Sequence, residues 1–599
     1  MKYSTTDNFW FKQRLVGVVY IIFILFLILT IRLYYLQMIN GSEYRNLSDN
    51  NCIRLQRIRP PRGLIFDRNG TLLVENRPSF DIELVLKDAK PLNKTIKHLA
   101  NYLQLPEDEI LSKVDRYKSM PSYKPIPIKH DIDWNTLAVI EANRFNLPGI
   151  SINVTPTRFY INDYSAAHLL GYLSEINTNE LSLNKYQGLR LGDFVGRYGV
   201  EKAYEKYLQG EPGGRQVEVN SIGQVVKVLK TVHTNAGNNI VLTIDQQLQL
   251  KAEELLKGKV GAVAAMDPST GEILVMASNP SFNQNAFVTG FTGEQWRQLI
   301  SDSARPMENK VIQAEYPPAS TYKIVTALAG LEEGVVDEHS TFFCPGYLNF
   351  GNRPFRCWKK WGHGTTNVFK ALAESCDVYF YHVGIKLGVD RLAWYAKACG
   401  LNSPTGILLD HESKGLIPSA LWKMQRFKVP WQRGETLSIA IGQGYNLVTP
   451  IQMLVLVSAI GNGGTRYKPI LHKSILNAEG KEIAKESPQI LGKLPVSKSH
   501  LQYIQRGLWE VVNTDRGTAH STARLQQIEI CGKTGTAQVF SQTHTKELKE
   551  EKSHAWFVAY APATNPKIAV VVMIEHGEHG SSAAAPIAKE IIKAALEKH

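Results

Sequence analysis

Residues 316–331 read YPPASTYKIVTALAGL: a diproline entry, a serine, a lysine three residues later, and an apolar helical run. Pro317 and Pro318 pre-set the backbone for a helix start. That places Ser320 at a helix N-terminus and Lys323 one turn on, on the same face. A serine hydroxyl attacks poorly until a base takes its proton. A lysine made neutral by partial burial and neighbouring cations can serve, and helix-terminal N–H groups favour charge on oxygen. The same spacing occurs where a serine merely caps a helix, so the surrounding chain must decide between the two readings.

On the N-terminal side, Asn239–Thr243 reads as a strand and Asp245–Lys257 as an amphipathic helix. Residues 261–266 and 272–277 read as a hairpin around DPSTG. Strand character returns at Ala555–Tyr560 and Ile568–Ile574, with a helix predicted over Ala585–Lys598. A sheet built from both ends of one domain and covered by helices accounts for this order. Residues 37–235 instead mix short strand patterns, Pro/Gly turns and helical stretches such as Val200–Leu208, without repeats. Two stretches there, RGLIFDRNG (62–70) and GRYGVEKAYEKYLQG (196–210), carry no nucleophile. They are read as scaffold, with Asn69-Gly70 as a hairpin turn and the Arg and Asp side chains as salt-bridge partners.

The chain has 599 residues, 44% hydrophobic and 21% charged, which excludes a single small binding module. Its net charge of +13 is spread without a long basic block, and no zinc-finger, RNP or basic-zipper pattern accompanies it, so no nucleic-acid partner is expected. Leu15 to Ile31, LVGVVYIIFILFLILTI, has no charged residue, and at 1.5 Å per residue it spans about 26 Å, close to one hydrocarbon core. Arg14 and Arg32 flank the run. No small-residue cleavage site follows it, so it reads as an uncleaved anchor. Lys2, Lys12 and Arg14 against Asp7 favour a cytoplasmic N-terminus with the rest of the chain translocated.

Two further motifs follow the SxxK in order: Glu374-Ser375-Cys376-Asp377, and Gly532-Lys533-Thr534-Gly535-Thr536-Ala537 before a predicted strand. SxxK, then SxN, then KTG is the arrangement that surrounds one cleft in penicillin-binding proteins and class A β-lactamases. With RGLIFDRNG, DPSTGEILVMAS, CWKKWGHG and IGQGYNLVTPIQ at matching positions, the chain resembles the class B penicillin-binding proteins, and most of all their rod-elongation branch, over nearly everything after the anchor.

The resemblance implies a mixed α+β fold. It comprises a cytoplasmic tail (1–14), a transmembrane anchor (15–36), a pedestal that binds partners (37–235), and a D,D-transpeptidase domain (236–599). The last is expected as an antiparallel sheet covered by helices, with an all-helical subdomain. The resemblance further implies a single-pass inner-membrane protein, mostly periplasmic, that cross-links peptidoglycan stem peptides during elongation and is acylated by β-lactams. Ser320 would be the nucleophile and Lys323 its base, Ser375 a proton relay and Lys533 its electrostatic support. Lys533 and Thr534 of the KTG run, with Gly535, would hold the substrate carboxylate, and the N–H groups of Ser320 and Thr536 would form an oxyanion hole. Asp377 stands where the wider superfamily has Asn, and an ionised Asp cannot donate a hydrogen bond.

Cys344, Cys357, His363 and Cys376 fall in a C-x12-C-x5-H-x12-C pattern, a Cys3His set suited to tetrahedral zinc. A Cys344–Cys357 disulfide, or buried cysteines beside a surface histidine, would explain the same residues. The resemblance to the elongation branch implies a structural zinc, held beside the second motif through Cys376. His576-Gly577-Glu578-His579 lacks helical spacing and is expected as an exposed loop. The rival in another class is a penicillin-binding sensor or idle scaffold. Within enzymes, carboxypeptidases and β-lactamases share the three motifs, and a carboxypeptidase side activity is expected. No glycosyltransferase domain is evident, so strand synthesis would fall to a SEDS-family glycosyltransferase and its elongation-complex partners.

Overall fold

The computed structural model describes residues 7–45, 53–118, 120–183, 186, 188–219, 225–542 and 548–597. Cys52 lies outside them. The chain divides into two compact units, and not at a single point near residue 235. Residues 1–60, 79–155 and 211–235 form one, and residues 61–78, 156–210 and 236–599 form the other. Segments assigned to the pedestal by sequence order are thus shared between the two.

In the first unit, helix Asp7–Tyr34 continues as a π-helical turn, Tyr35–Ile39. Its 28 residues measure about 42 Å at 1.5 Å per residue, longer than the apolar run because both charged flanks are helical too. The segment Phe11–Ile39 has a mean hydropathy of 2.7 and is unburied throughout, long and apolar enough to cross a membrane. The remainder of this unit carries helices Leu92–Leu103, Glu107–Arg116 and Trp134–Ala142, and an antiparallel sheet of Ile53–Ile58, Gly213–Val219 and Val225–Val232.

The second unit is organised around a five-stranded antiparallel sheet in the order Ile273–Asn279, Gly261–Met266, Ile568–Ile574, Leu548–Ala561, Cys531–Gln542. Alternation sorts its side chains into two cores. Ala262, Ala264, Val571, Met573, Trp556 and Val558 pack on one face with Val325, Leu328, Leu454 and Leu456. Val263, Ala265, Val570, Val572 and Phe557 pack on the other with Leu248, Ala252, Ile587 and Ile591. The covering helices are Lys323–Glu332 and Pro450–Gly461 on the first face, Gln246–Leu256 and Ala585–Leu596 on the second. The order expected from both ends of the domain is the order observed.

Two expectations need correction here. The helical subdomain is not all-helical: the antiparallel pair Phe342–Cys344 with Gly364–Thr366, and the hairpin Tyr347–Phe350 with Arg353–Arg356, interrupt it, the hairpin turned at Gly351 (φ +59°), a conformation L side chains rarely adopt. The scaffold arginines pair with glutamates rather than with Asp67. Arg62 binds Glu201 and Glu205, each at 2.8 Å, Arg158 binds buried Glu201 at 2.6 Å, and Arg68 reaches Glu272 at 3.2 Å. Asp67 instead closes its own turn by accepting from the N–H groups of Asn69 and Thr71. Val200–Leu208 forms two short helices, Gly199–Ala203 and Glu205–Leu208.

Candidate active site

Ser320 lies in a 3-10 turn, Ala319–Tyr322, and Lys323 opens the α-helix Lys323–Glu332. The tighter turn brings positions i and i+3 into register, so the serine and lysine share a face more directly than in an α-helical start. Ala319 holds φ +50°, and its N–H donates to Gly442 O at 2.8 Å; a Cβ on Gly442 would stand 2.2 Å from Ala319 O. The nucleophile is therefore presented from a strained backbone that its neighbours hold in place. Ser320 is half-buried, and Lys323 has no exposed surface.

Lys323 Nζ donates to Ser375 O at 2.8 Å, Ser375 Oγ at 3.2 Å and Asp377 Oδ1 at 2.7 Å, which uses all three N–H groups of an ammonium. Ser375 (φ +56°) is a second strained residue. Its Oγ also accepts from Lys533 Nζ at 2.9 Å, so one hydroxyl bridges the two lysines. Burial, and then the neighbouring Lys323 charge, push Lys533 well below the ordinary lysine range, with Asp377 opposing them. Burial raises Asp377, and the adjacent Lys323 ammonium offsets part of that rise. The substitution of Asp for Asn now has a physical account. Both carboxylate oxygens accept, Oδ1 from Lys323 and Oδ2 from the Trp358 N–H at 2.9 Å, and no amide donor is required.

The third motif lies on strand Cys531–Gln542. A Cβ at Gly535 would meet Thr321 Cγ2 at 3.1 Å and Pro318 O at 3.2 Å, so glycine lets this strand run close beside the turn that carries Ser320. Thr534 Oγ1 lies 2.8 Å from Thr518 Oγ1. Thr536 O accepts from Gln443 Nε2 at 3.2 Å, and Thr536 Oγ1 accepts from the Gly580 N–H at 3.4 Å. Ser320, Lys323, Ser375, Asp377, Lys533, Thr534, Gly535 and Thr536 thus converge on one region. Thr518, Gln443, Gly442 and the Trp358 N–H were missed. Trp358 had a signal in CWKKWGHG, and Gly442 and Gln443 had one in IGQGYNLVTPIQ; Thr518 had none.

Cys344, Cys357, His363 and Cys376 also converge: all are buried, with their ligand atoms within 4.8 Å of one another. His363 Nδ1 lies 3.6 Å from Cys344 Sγ and 3.5 Å from Cys357 Sγ. Tetrahedral zinc with ordinary Zn–N and Zn–S lengths requires about 3.6 Å between such atoms. Cys344, Cys357 and Cys376 are free thiols, with no disulfide between Cys344 and Cys357. Hydrogen bonding from Cys376 and His363 pulls the Cys357 thiol toward the thiolate, the form a metal binds. The His576–His579 loop joins no such cluster among the described residues; Glu578 pairs with Lys552 at 2.9 Å instead.

The chain matches the family model described as penicillin-binding protein transpeptidase domain over residues 261–593, and that of the penicillin-binding protein dimerisation domain over residues 57–242. Among curated proteins it is similar to the peptidoglycan D,D-transpeptidase MrdA of Haemophilus influenzae, 36% identical over 98% of this chain and 91% of that one. Among solved structures it is similar to penicillin-binding protein 2 in the complex with MreC from Helicobacter pylori. That likeness has a TM-score of 0.79 at 32% identity, covering 91% of this chain and 99% of that one. It is also similar to a chain in a structure titled "Structural coordination of polymerization and crosslinking by a peptidoglycan synthase complex", with a TM-score of 0.71 at 30% identity, covering 97% and 98%.

Proposed function

The chain belongs to the penicillin-binding protein transpeptidase family, in its penicillin-binding protein 2 branch, and from that premise we propose that Ser320 is the residue it acylates. The protein is a serine-type peptidoglycan D,D-transpeptidase of cell elongation. The observation that carries the residue assignment is Ser375 Oγ, within hydrogen-bond distance of both Lys323 Nζ and Lys533 Nζ. Lys323 first gives a proton through Ser375 Oγ to the neutral Lys533, and as Ser320 Oγ bonds to the penultimate D-alanine carbonyl its proton passes to the freed Lys323 amine. Negative charge develops on the carbonyl oxygen, opposite the N–H groups of Ser320 and Thr536. Collapse breaks the C–N bond, and the leaving D-alanine nitrogen takes a proton from Ser375, which the lysines resupply. An acceptor amine reverses the sequence and forms the cross-link; water in its place gives carboxypeptidase activity. A β-lactam carbonyl enters the first half of the cycle and opens its ring. Ser320→Ala should abolish both D-alanine release and cross-link formation in purified protein with lipid-linked strands, and persistence of either removes Ser320 from the role.

Zinc held by Cys344, Cys357, His363 and Cys376 is part of the same proposal, supported by the tetrahedral spacing of their ligand atoms. Four protein ligands leave no open position, so the metal would be structural. Cys376 lies between Ser375 and Asp377, and Cys357 precedes the N–H that holds Asp377, so the cluster fixes the proton network from two sides. Metal analysis should give about one zinc per chain. The helix Asp7–Tyr34 is proposed to anchor the protein in the inner membrane with the bulk of the chain after it on the periplasmic side, supported by Lys12 and Arg14 ahead of the span. A SEDS-family glycosyltransferase and an MreC-like protein are the proposed partners, supported by the two solved relatives in complexes.

A further inference from the structure

Between Cys357 and His363 the chain reads CWKKWGH, and its backbone is fixed at both ends. The Cys357 N–H donates to Gly346 O at 2.8 Å, the His363 N–H to Cys344 O at 3.0 Å, and the Gly362 N–H to Lys359 O at 2.9 Å. A Cβ on Gly346 would stand 2.2 Å from Lys360 O, and one on Gly362 would stand 2.1 Å from Cys344 O, so the turn is seated directly on the Cys344–Gly346 backbone. This rigid frame displays large apolar side chains to solvent: Trp361 is 86% exposed and Trp358 is 61% exposed. The Lys360 ammonium sits 5.5 Å from the Trp361 ring centroid.

The turn borders the catalytic residues. The Trp358 indole N–H donates to Glu374 O at 3.0 Å, its main-chain N–H holds Asp377, and Lys359 lies 3.7 Å from Glu374. From Arg353 to Ala373 the sequence has five cations and no acid. Exposed indoles on a preorganised turn, interleaved with lysines, present flat apolar faces and positive charge together. Peptidoglycan strands combine the matching features: pyranose rings with apolar C–H faces, and stem peptides that carry carboxylates.

We propose that the Trp358–Trp361 turn is a strand-binding platform, on which a sugar ring of the peptidoglycan strand stacks against Trp361 while Lys360 pairs with a stem carboxylate beside the cleft. The platform rests on the transpeptidase reading of the site. It orients a polymeric substrate and leaves small acylating ligands unaffected, because they do not extend beyond the cleft.

The test compares wild-type full-length protein in detergent with Trp361→Ala and Lys360→Gln, both surface changes outside the proton network. Two quantities are measured: affinity for soluble, uncross-linked peptidoglycan strands, and the rate of acylation by a fluorescent penicillin. The platform predicts that strand affinity falls about tenfold in Trp361→Ala, a typical loss for an aromatic anchor, and less in Lys360→Gln, with acylation unchanged in both. Equal strand affinity in wild type and both variants, with normal acylation, overturns the platform and leaves the reading of Ser320 intact. Variants that keep strand affinity but lose a co-purifying membrane protein overturn it in favour of a protein docking surface. A wild type that takes up no penicillin overturns both readings.

Discussion

Asp377 and Thr518 show how single side chains tune this site. Asp377 accepts from Lys323 and from the Trp358 N–H, one bond at each carboxylate oxygen. Asn at 377 keeps one acceptor but turns an N–H2 group toward either the lysine or the Trp358 N–H, and it removes the counter-charge of a buried ammonium. Asp377→Asn should therefore lower stability by about 3 kcal/mol, the usual cost of breaking a buried pair, and slow penicillin acylation at least about tenfold; a variant with wild-type melting and acylation would contradict the ion-pair account. Thr518 acts through Thr534, whose hydroxyl it meets at 2.8 Å. With Thr518→Val that hydroxyl loses its orienting partner. The penicillin concentration giving half-maximal acylation rate should rise several-fold while the maximal rate changes little, since a single neutral hydrogen bond contributes about 1 kcal/mol. A fall in maximal rate alone would place Thr518 elsewhere in the mechanism.

At the scale of elements, the site is assembled from a 3-10 turn, a helix entry and a strand, each carrying one motif. Their residue types and order were legible in the sequence, because SxxK, SxD and KTG are local spacings. The strain was not: Ala319 at φ +50° and Ser375 at φ +56° are ordinary residues whose backbone is set by distant partners such as Gly442. The hairpins at Phe342–Thr366 were hidden for a related reason. Each strand has only three or four residues, too few to show alternation, and the proposed zinc on Cys344, Cys357, His363 and Cys376 would supply the cohesion their own length does not. Chelation should accordingly raise hydrogen exchange across residues 342–366 and slow acylation, with both restored by zinc and neither by magnesium. Unchanged exchange after verified metal loss would show that the hairpins stand without it.

Across the whole molecule, the five-stranded sheet could be anticipated because its strands are long and apolar, but the division into two units could not. Residues 61–78 and 156–210 pack with 236–599 through contacts far apart in sequence, such as Leu64 N–H to Asn239 Oδ1 at 2.7 Å, which no local pattern announces. His168 belongs to the same unit, fully buried, its Nε2–H donating to Pro306 O at 2.6 Å, and burial lowers its pKa from 6.5 to about 4. Between those values the unfolded chain binds the proton and the folded chain does not. Stability therefore rises with pH from about 4 to about 6.5, by up to about 3 kcal/mol from this group, and is lost on acidification. His168→Gln should flatten that slope in denaturant titrations, and an unaltered slope would assign the effect to other groups. The central claim concerns Ser320, and it is tested most directly by peptide mass spectrometry after incubation with a penicillin. The account predicts one covalent adduct, on the peptide containing Ser320 and absent from Ser320→Ala; an adduct on any other residue, or one that persists in the variant, would contradict it.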